Sequence, residues 1–184
     1  MEFEFFILDW IQTHLRHPIL DPIIVFITTL GNAGILWIGL TILLAVRKST
    51  RKTAAALAVA LGLCLLCGNL LLKPLIGRIR PFNAQDAITL LIAAPLDYSF
   101  PSGHTMSSFA AAMVLLLTDR RMGIPAMLLA GLIAFSRMYL YVHYPTDVLA
   151  GLLMGCLFGW LAVRIVQKLH ARRFQGNQQE KPHS

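Results

Sequence analysis

The run TAAALAVALGLCLLCGNLLL, residues 53–72, decides the fold. It carries no charged side chain, and Arg51-Lys52 and Lys73 flank it. Its length matches the ~20 apolar residues a helix needs to cross the hydrocarbon core. Working outward, comparable runs extend over Ile23 to Val46, Ile124 to Val142 and Val148 to Lys168, and a shorter one over His104 to Thr118. Five spans are expected, with Gly31 to Gly34 breaking the first into two pieces. Phe3 to Leu15 is too short to span and is interrupted by Glu4, Asp9 and Gln12, so it is expected to lie along the interface. The fold class is all-α: a polytopic membrane bundle of five to six helices. Residues 1–170 form one membrane-embedded domain, and 171–184 form a polar tail expected to be disordered.

Composition agrees. Hydrophobic residues make up 57% of the 184 and charged residues only 14%, well under the ~25% of an ordinary soluble domain. A net charge of +7 would suit nucleic acid, but the basic residues lie in short clusters between apolar runs, so no nucleic-acid partner is expected. Glu2, Glu4 and Asp9 stand where a cleaved leader would carry Lys or Arg, so none is expected. Cys64, Cys67 and Cys156 all fall inside apolar runs, where they read as small packing residues.

Lys and Arg also set the orientation. Arg47, Lys48, Arg51 and Lys52, then Arg120 and Arg121, then Lys168, Arg172 and Arg173 fall on one side if there are five spans. That side is expected to be cytoplasmic. The other face receives the loop from Lys73 to Gly103 and the turn from His143 to Thr146.

Three polar clusters converge on that second face. Lys73, Arg78 and Arg80 follow the second span, where the positive-inside bias does not explain them; alone, they would also suit lipid head groups. Phe100-Pro101-Ser102-Gly103-His104-Thr105 opens an apolar helix, whose free N–H groups make an anion site within reach of His104. Arg137 sits near the end of the next span, where its charge calls for an anion. His143 and Asp147 flank Pro145, so the carboxylate could accept from one imidazole nitrogen and leave the other free as a nucleophile. Alone, Asp147 would equally suit a first-turn acid facing the helix dipole.

Together these groups suit phosphoryl transfer, which consists mainly of positioning and neutralising charge on oxygen. Lys73, Arg80, Arg137 and the Ser102 and Gly103 amides supply the positive field. Asp86 and Asp97 are spread along a loop and form no metal cage, so neither a metal nor a cofactor is expected.

The sequence resembles the type 2 phosphatidic acid phosphatase superfamily, whose signatures are KxxxxxxRP, PSGH and SRxxxxxHxxxD. Here they read Lys73 to Pro81, Pro101 to His104, and Ser136-Arg137 to His143 and Asp147. The resemblance implies a six-helix core and a phosphate pocket of Lys73, Arg80, Ser102, Gly103 and Arg137. It implies His143 as nucleophile oriented by Asp147, with His104 as proton donor. The expected protein is a multi-pass enzyme of the cell membrane, a metal-independent phosphatase acting on a lipid diphosphate or monophosphate from the extracytoplasmic face. Undecaprenyl diphosphate is the preferred substrate; phosphatidylglycerophosphate and phosphatidic acid are rivals, and a lipid-phosphate binding or transport protein is the non-enzymatic alternative.

Overall fold

A computed structural model describes residues 2–85 and 88–179; Asp86 and residues 180–184 lie outside them. The described residues contain helices and no strand: α1 (Glu2–His14), α2 (Leu20–Leu30), α3 (Ile35–Val46), α4 (Arg51–Leu63), a π-helical stretch (Cys64–Leu72), α5 (Lys73–Ile76), α6 (Pro81–Ala84), α7 (Gly103–Thr118), α8 (Arg120–Tyr139) and α9 (Pro145–Gln179). The expected spans recur as α2 with α3, as one long apolar unit over Lys48–Ala84, and as α7, α8 and α9.

The break in the first span is real. α2 and α3 meet at a bend of 43°, because Ala33 (φ 49°) and Gly34 (φ 68°) take left-handed conformations that end one helix and redirect the next. Asn32, itself exposed, and Thr28 in the last turn of α2 are thereby placed on the cavity that His104 also lines.

α7 is the central helix. Ala110, Ala111, Ala112, Val114 and Leu115 are all buried, as expected for a helix covered on every side. It packs on α9 through a stripe of small residues. A Cβ at Gly151, Gly155 or Gly159 would come within 2.8, 2.4 and 2.6 Å of the carbonyl oxygens of Ser102, Met106 and Ala110 respectively, so only glycine permits this backbone approach. One polar pair lies inside, Trp37 Nε1 donating to Ser108 Oγ at 3.0 Å. The outward faces of α3, α8 and α9 present Ile38, Ile42, Leu128, Leu132, Leu153 and Leu157, the apolar belt of a protein solvated by lipid.

α1 is 13 residues long, roughly 20 Å, which is too short to cross the hydrocarbon. Its inner face docks on the end of α8 and the segment after it: Gln12 Nε2 donates to the Tyr139 carbonyl at 2.7 Å, and Tyr141 Oη donates to Asp9 Oδ1 at 2.6 Å. Phe3, Phe6 and Trp10 face outward.

The backbone is helical from Ala171 to Gln179 as part of α9, and the rest of the expected tail lies outside the described residues; Ala, Arg and Gln keep helix propensity even where no apolar periodicity is left to signal it.

Candidate active site

Each sequence-derived residue is placed by a helix end. Lys73 opens α5, and Gly77, at φ 61°, caps it and turns the chain so that Arg80 comes back toward the same cavity. Ser102 is the N-cap of α7 and Gly103 its first residue. Arg137 lies in the last turn of α8. His143 lies on the short connection to α9, and Asp147 in the first turn of that helix.

Lys73, Arg80, Gly103, His104, Arg137 and His143 line one cavity of about 400 Å³, together with Thr28, Asn32 and Asp97. Ser102 and Asp147 stand behind its wall, both with no exposed surface. The Ser102 amide donates to the Asp147 carbonyl at 3.1 Å, which joins the PSGH turn to the start of α9.

The imidazole of His143 is 1% exposed. Its Nε2 lies 3.2 Å from a guanidinium nitrogen of Arg80. A guanidinium has only donors, so Nε2 must be the lone-pair nitrogen and Nδ1 carries the proton. Nδ1 lies 3.6 Å from Asp147 Oδ2. Burial first, and then the charges of Arg80 and Arg137, push the imidazole down to about 3 against the pull of Asp147. A neutral imidazole with its lone pair turned toward cations is poised to attack an electrophile that those cations hold.

Asp147 is fully engaged. Ser99 Oγ donates to its Oδ2 at 2.5 Å, the Tyr144 amide to Oδ2 at 2.9 Å, and Arg78 to Oδ1 at 2.6 Å. Arg137 donates to Thr28 Oγ1 at 2.5 Å, while its buried Nε has no partner. His104 Nε2 donates to Asn32 Oδ1 at 2.9 Å.

Asp97 occupies the cations of the cavity. Its carboxylate accepts from the Lys73 ammonium and from Arg80 at 2.6 Å, and its carbonyl accepts from Arg80 Nε at 2.7 Å. Burial alone would raise this carboxyl, yet Lys73 and Arg80 hold it down at about 2. A second cavity of about 550 Å³ shares Lys73, Asp97, Gly103 and His104 with the first. It is lined otherwise mainly by Gly31, Ala33, Gly34, Ile38, Leu61 and Leu65, so an apolar groove meets the polar pocket at His104.

All eight residues singled out from the sequence thus gather in or directly behind one cavity. Thr28, Asn32, Asp97 and Ser99 were missed. Asn32 had a signal, a polar residue between two glycines in an apolar run; Asp97 was seen only as a poor metal ligand; Thr28 and Ser99 had none.

Buried cations around a histidine whose lone pair is turned toward them suit phosphoryl transfer in a membrane. The chain matches the PAP2 superfamily over residues 51–171 and belongs to that family. It is a hydrolase, a multi-pass membrane phosphatase. It is 37% identical over 147 residues to undecaprenyl-diphosphatase of Sulfolobus acidocaldarius, covering 79% of this chain and 70% of that relative. It is 34% identical over 149 residues to undecaprenyl-diphosphatase BcrC of Bacillus subtilis, covering 81% and 76%. The crystal structure of LpxE from Aquifex aeolicus superposes with a TM-score of 0.77 at 29% identity, covering 88% of this chain and 95% of that one.

Proposed function

We propose that the protein hydrolyses undecaprenyl diphosphate to undecaprenyl phosphate through a phosphohistidine on His143, at the extracytoplasmic face of the cell membrane. The observation that carries the mechanism is the lone pair of His143 Nε2 beside Arg80, with Nδ1–H turned to Asp147. Nε2 attacks the terminal phosphorus. The bond to the bridging oxygen breaks, its electron pair leaves with the lipid phosphate, and His104 supplies a proton as required. Water then attacks phosphorus, His104 takes its proton, the P–N bond breaks, and inorganic phosphate leaves. Lys73, Arg80, Arg137 and the Gly103 amide neutralise the equatorial oxygens; the Ser102 amide, expected from the sequence to join them, is taken up by the Asp147 carbonyl and braces the turn instead.

The apolar groove beside His104 supports a lipid substrate, because a chain lying in it keeps its hydrocarbon out of water while its phosphate enters the cation pocket. The names of the two curated relatives support the diphosphate of a polyprenol. The basic loops support the orientation, since Lys48, Arg51, Arg120 and Arg121 fall at the opposite helix ends from His143.

The deciding experiment measures phosphate release by the purified protein, in EDTA, from undecaprenyl diphosphate, phosphatidylglycerophosphate and phosphatidic acid. Highest kcat/KM on the diphosphate, with an acid-labile phosphoenzyme absent from His143→Ala, is expected. Preference for either glycerolipid would reassign the substrate, and a phosphoenzyme surviving in His143→Ala would reassign the nucleophile.

A further inference from the structure

Arg78 lies between the two cations that line the pocket, Lys73 and Arg80, but it points the other way. One of its terminal nitrogens donates to Asp147 Oδ1 at 2.6 Å and to Thr146 Oγ1 at 2.7 Å. The other donates to Glu4 Oε2 at 2.7 Å, and the guanidinium carbon lies 3.9 Å from the centre of the Tyr144 ring. Glu4 belongs to α1, and its second oxygen accepts from Thr146 Oγ1 at 2.5 Å. The first helix of the chain therefore reaches the back of the His143–Asp147 pair through a closed set of charge-assisted hydrogen bonds. Glu4 is 9% exposed and Asp147 0%, while Arg78 keeps 23% of its side chain exposed and Thr146 is exposed, so both carboxylates are shielded and water reaches the set only from the Arg78 and Thr146 side.

Phosphate chemistry alone does not need this arrangement. A surface helix would ordinarily keep Glu4 in solvent, and burying it costs free energy unless it is paired. The pairing is with Arg78, the one Lys or Arg among the described residues that is paired with the carboxylate beside His143.

We propose that Arg78, held in place by Glu4 of α1, is a positioning residue for His143: it binds one oxygen of Asp147 so that the other is left facing the imidazole, and it balances the charge of that carboxylate. The inference rests on the proposed role of His143 as nucleophile. Geometrically, Arg78 fixes Oδ1, and Ser99 Oγ with the Tyr144 amide fixes Oδ2, so the carboxylate plane is set from three sides. Electrostatically, a cation bound to Asp147 disfavours a positive imidazole beside it and keeps His143 neutral and nucleophilic. Glu4 tempers that cation, so the two side chains act on His143 in opposite senses.

The opposition of sign separates this role from a merely structural one. His143 is faced by Arg80 and Arg137, by His104 of α7 and by Asp147 of α9, with Lys73 and Asp97 across the cavity. These groups are common to every variant compared, so differences report Arg78 and Glu4. The test titrates His143 by NMR in the full chain, labelled with 15N-histidine and held in detergent. Saturating sulfate is present, a dianion whose charge stays constant over the range and which raises the imidazole midpoint to an accessible pH. The His143 resonance is assigned by its loss in His143→Gln.

Arg78→Gln is expected to raise the midpoint by about one unit, Arg78→Lys by much less because the charge remains, and Glu4→Gln to lower it. Midpoints that stay put, or that move the same way in Arg78→Gln and Glu4→Gln, would overturn the proposal. If Arg78→Gln does not fold, Glu4→Gln decides alone: a lowered midpoint supports the proposal, and an unmoved or raised one overturns it. Phosphate release and phosphoenzyme formation by the unmodified protein are measured alongside. Their absence would fail the proposed function itself, whereas intact turnover with an unmoved His143 would fail only the role given to Arg78.

Discussion

His104 Nε2 donates to Oδ1 of Asn32 across 2.9 Å, tying the second residue of α7 to the break in the first span. Asn32 is able to do this only because the chain bends there, and Gly31 leaves room for the ring: a Cβ on Gly31 would lie 2.7 Å from His104 Cδ2. The bond keeps a proton on Nε2 and fixes where the ring points, so a proton passed to a leaving group is carried on Nδ1.

His104→Ala is therefore expected to lose most of the ~10² to 10⁴ that general acid catalysis supplies when an alkoxide leaves, as from phosphatidic acid. The loss should be clearly smaller for a diphosphate, whose leaving phosphate needs less help. Asn32→Ala should show the same substrate pattern at reduced size. Rapid-quench measurement of phosphoenzyme formation isolates the first step, and equal losses on both substrate classes would remove His104 from the role of leaving-group acid.

Arg137→Lys is expected to lower kcat/KM by about 10². A point ammonium cannot hold Thr28 Oγ1 with one nitrogen and a phosphate oxygen with the others, as the planar fork can. Thr28→Val should cost less, since it removes the brace and leaves the cation. Near-normal turnover by Arg137→Lys would reduce Arg137 to a packing role.

Asp97 is an internal competitor for the phosphate cations, so Asp97→Asn is expected to tighten inhibition by inorganic phosphate and vanadate about tenfold. Because Lys73 and Arg80 hold its carboxyl at about 2, below its ordinary value, the competing charge persists at every pH above that. What its ion pairs add to stability is likewise present above the ordinary carboxylate range and is lost as pH falls through about 2. Between pH 5 and 8, phosphate inhibition should follow the ionisation of phosphate itself. Weaker inhibition in Asp97→Asn would mean that the carboxylate organises the cations instead of contesting them.

Topology has a direct test. Leu96, fully exposed on the loop beside the pocket, and Ser49, exposed between α3 and α4, lie at opposite ends of the bundle. With Cys64, Cys67 and Cys156 replaced, a cysteine at Leu96 should react with impermeant maleimide in intact cells, and one at Ser49 only after permeabilisation. The reverse pattern would put the site in the cytoplasm.

The spans, and the eight residues that gather in or behind one cavity, were legible in the sequence because both violate expectation locally: long apolar runs announce helices, and buried-looking cations announce an anion. Contacts made by chain folding left no such mark. Glu4 reads as an ordinary polar position of an amphipathic helix, and nothing near it in sequence points to Arg78 or Thr146. Asp97 reads as a loop acid until the turn at Gly77 brings Lys73 and Arg80 to it. The helical continuation beyond Ala171 was hidden for a different reason, since polar helix formers give no periodic signal once there is no core to face.

The glycine stripe of α9 makes the chemistry vulnerable to carbon alone. Gly151 sits under the carbonyl of Ser102, and Asp147 lies four residues earlier, in the first turn of the same helix. One methyl group at Gly151 or Gly155 would push α7 away from α9, carrying the Ser102–Gly103 turn away from His143 while every acid, base and cation kept its identity. A descendant of this protein could thus fall silent with all three signatures intact, and an inventory of polar residues would still score it as active.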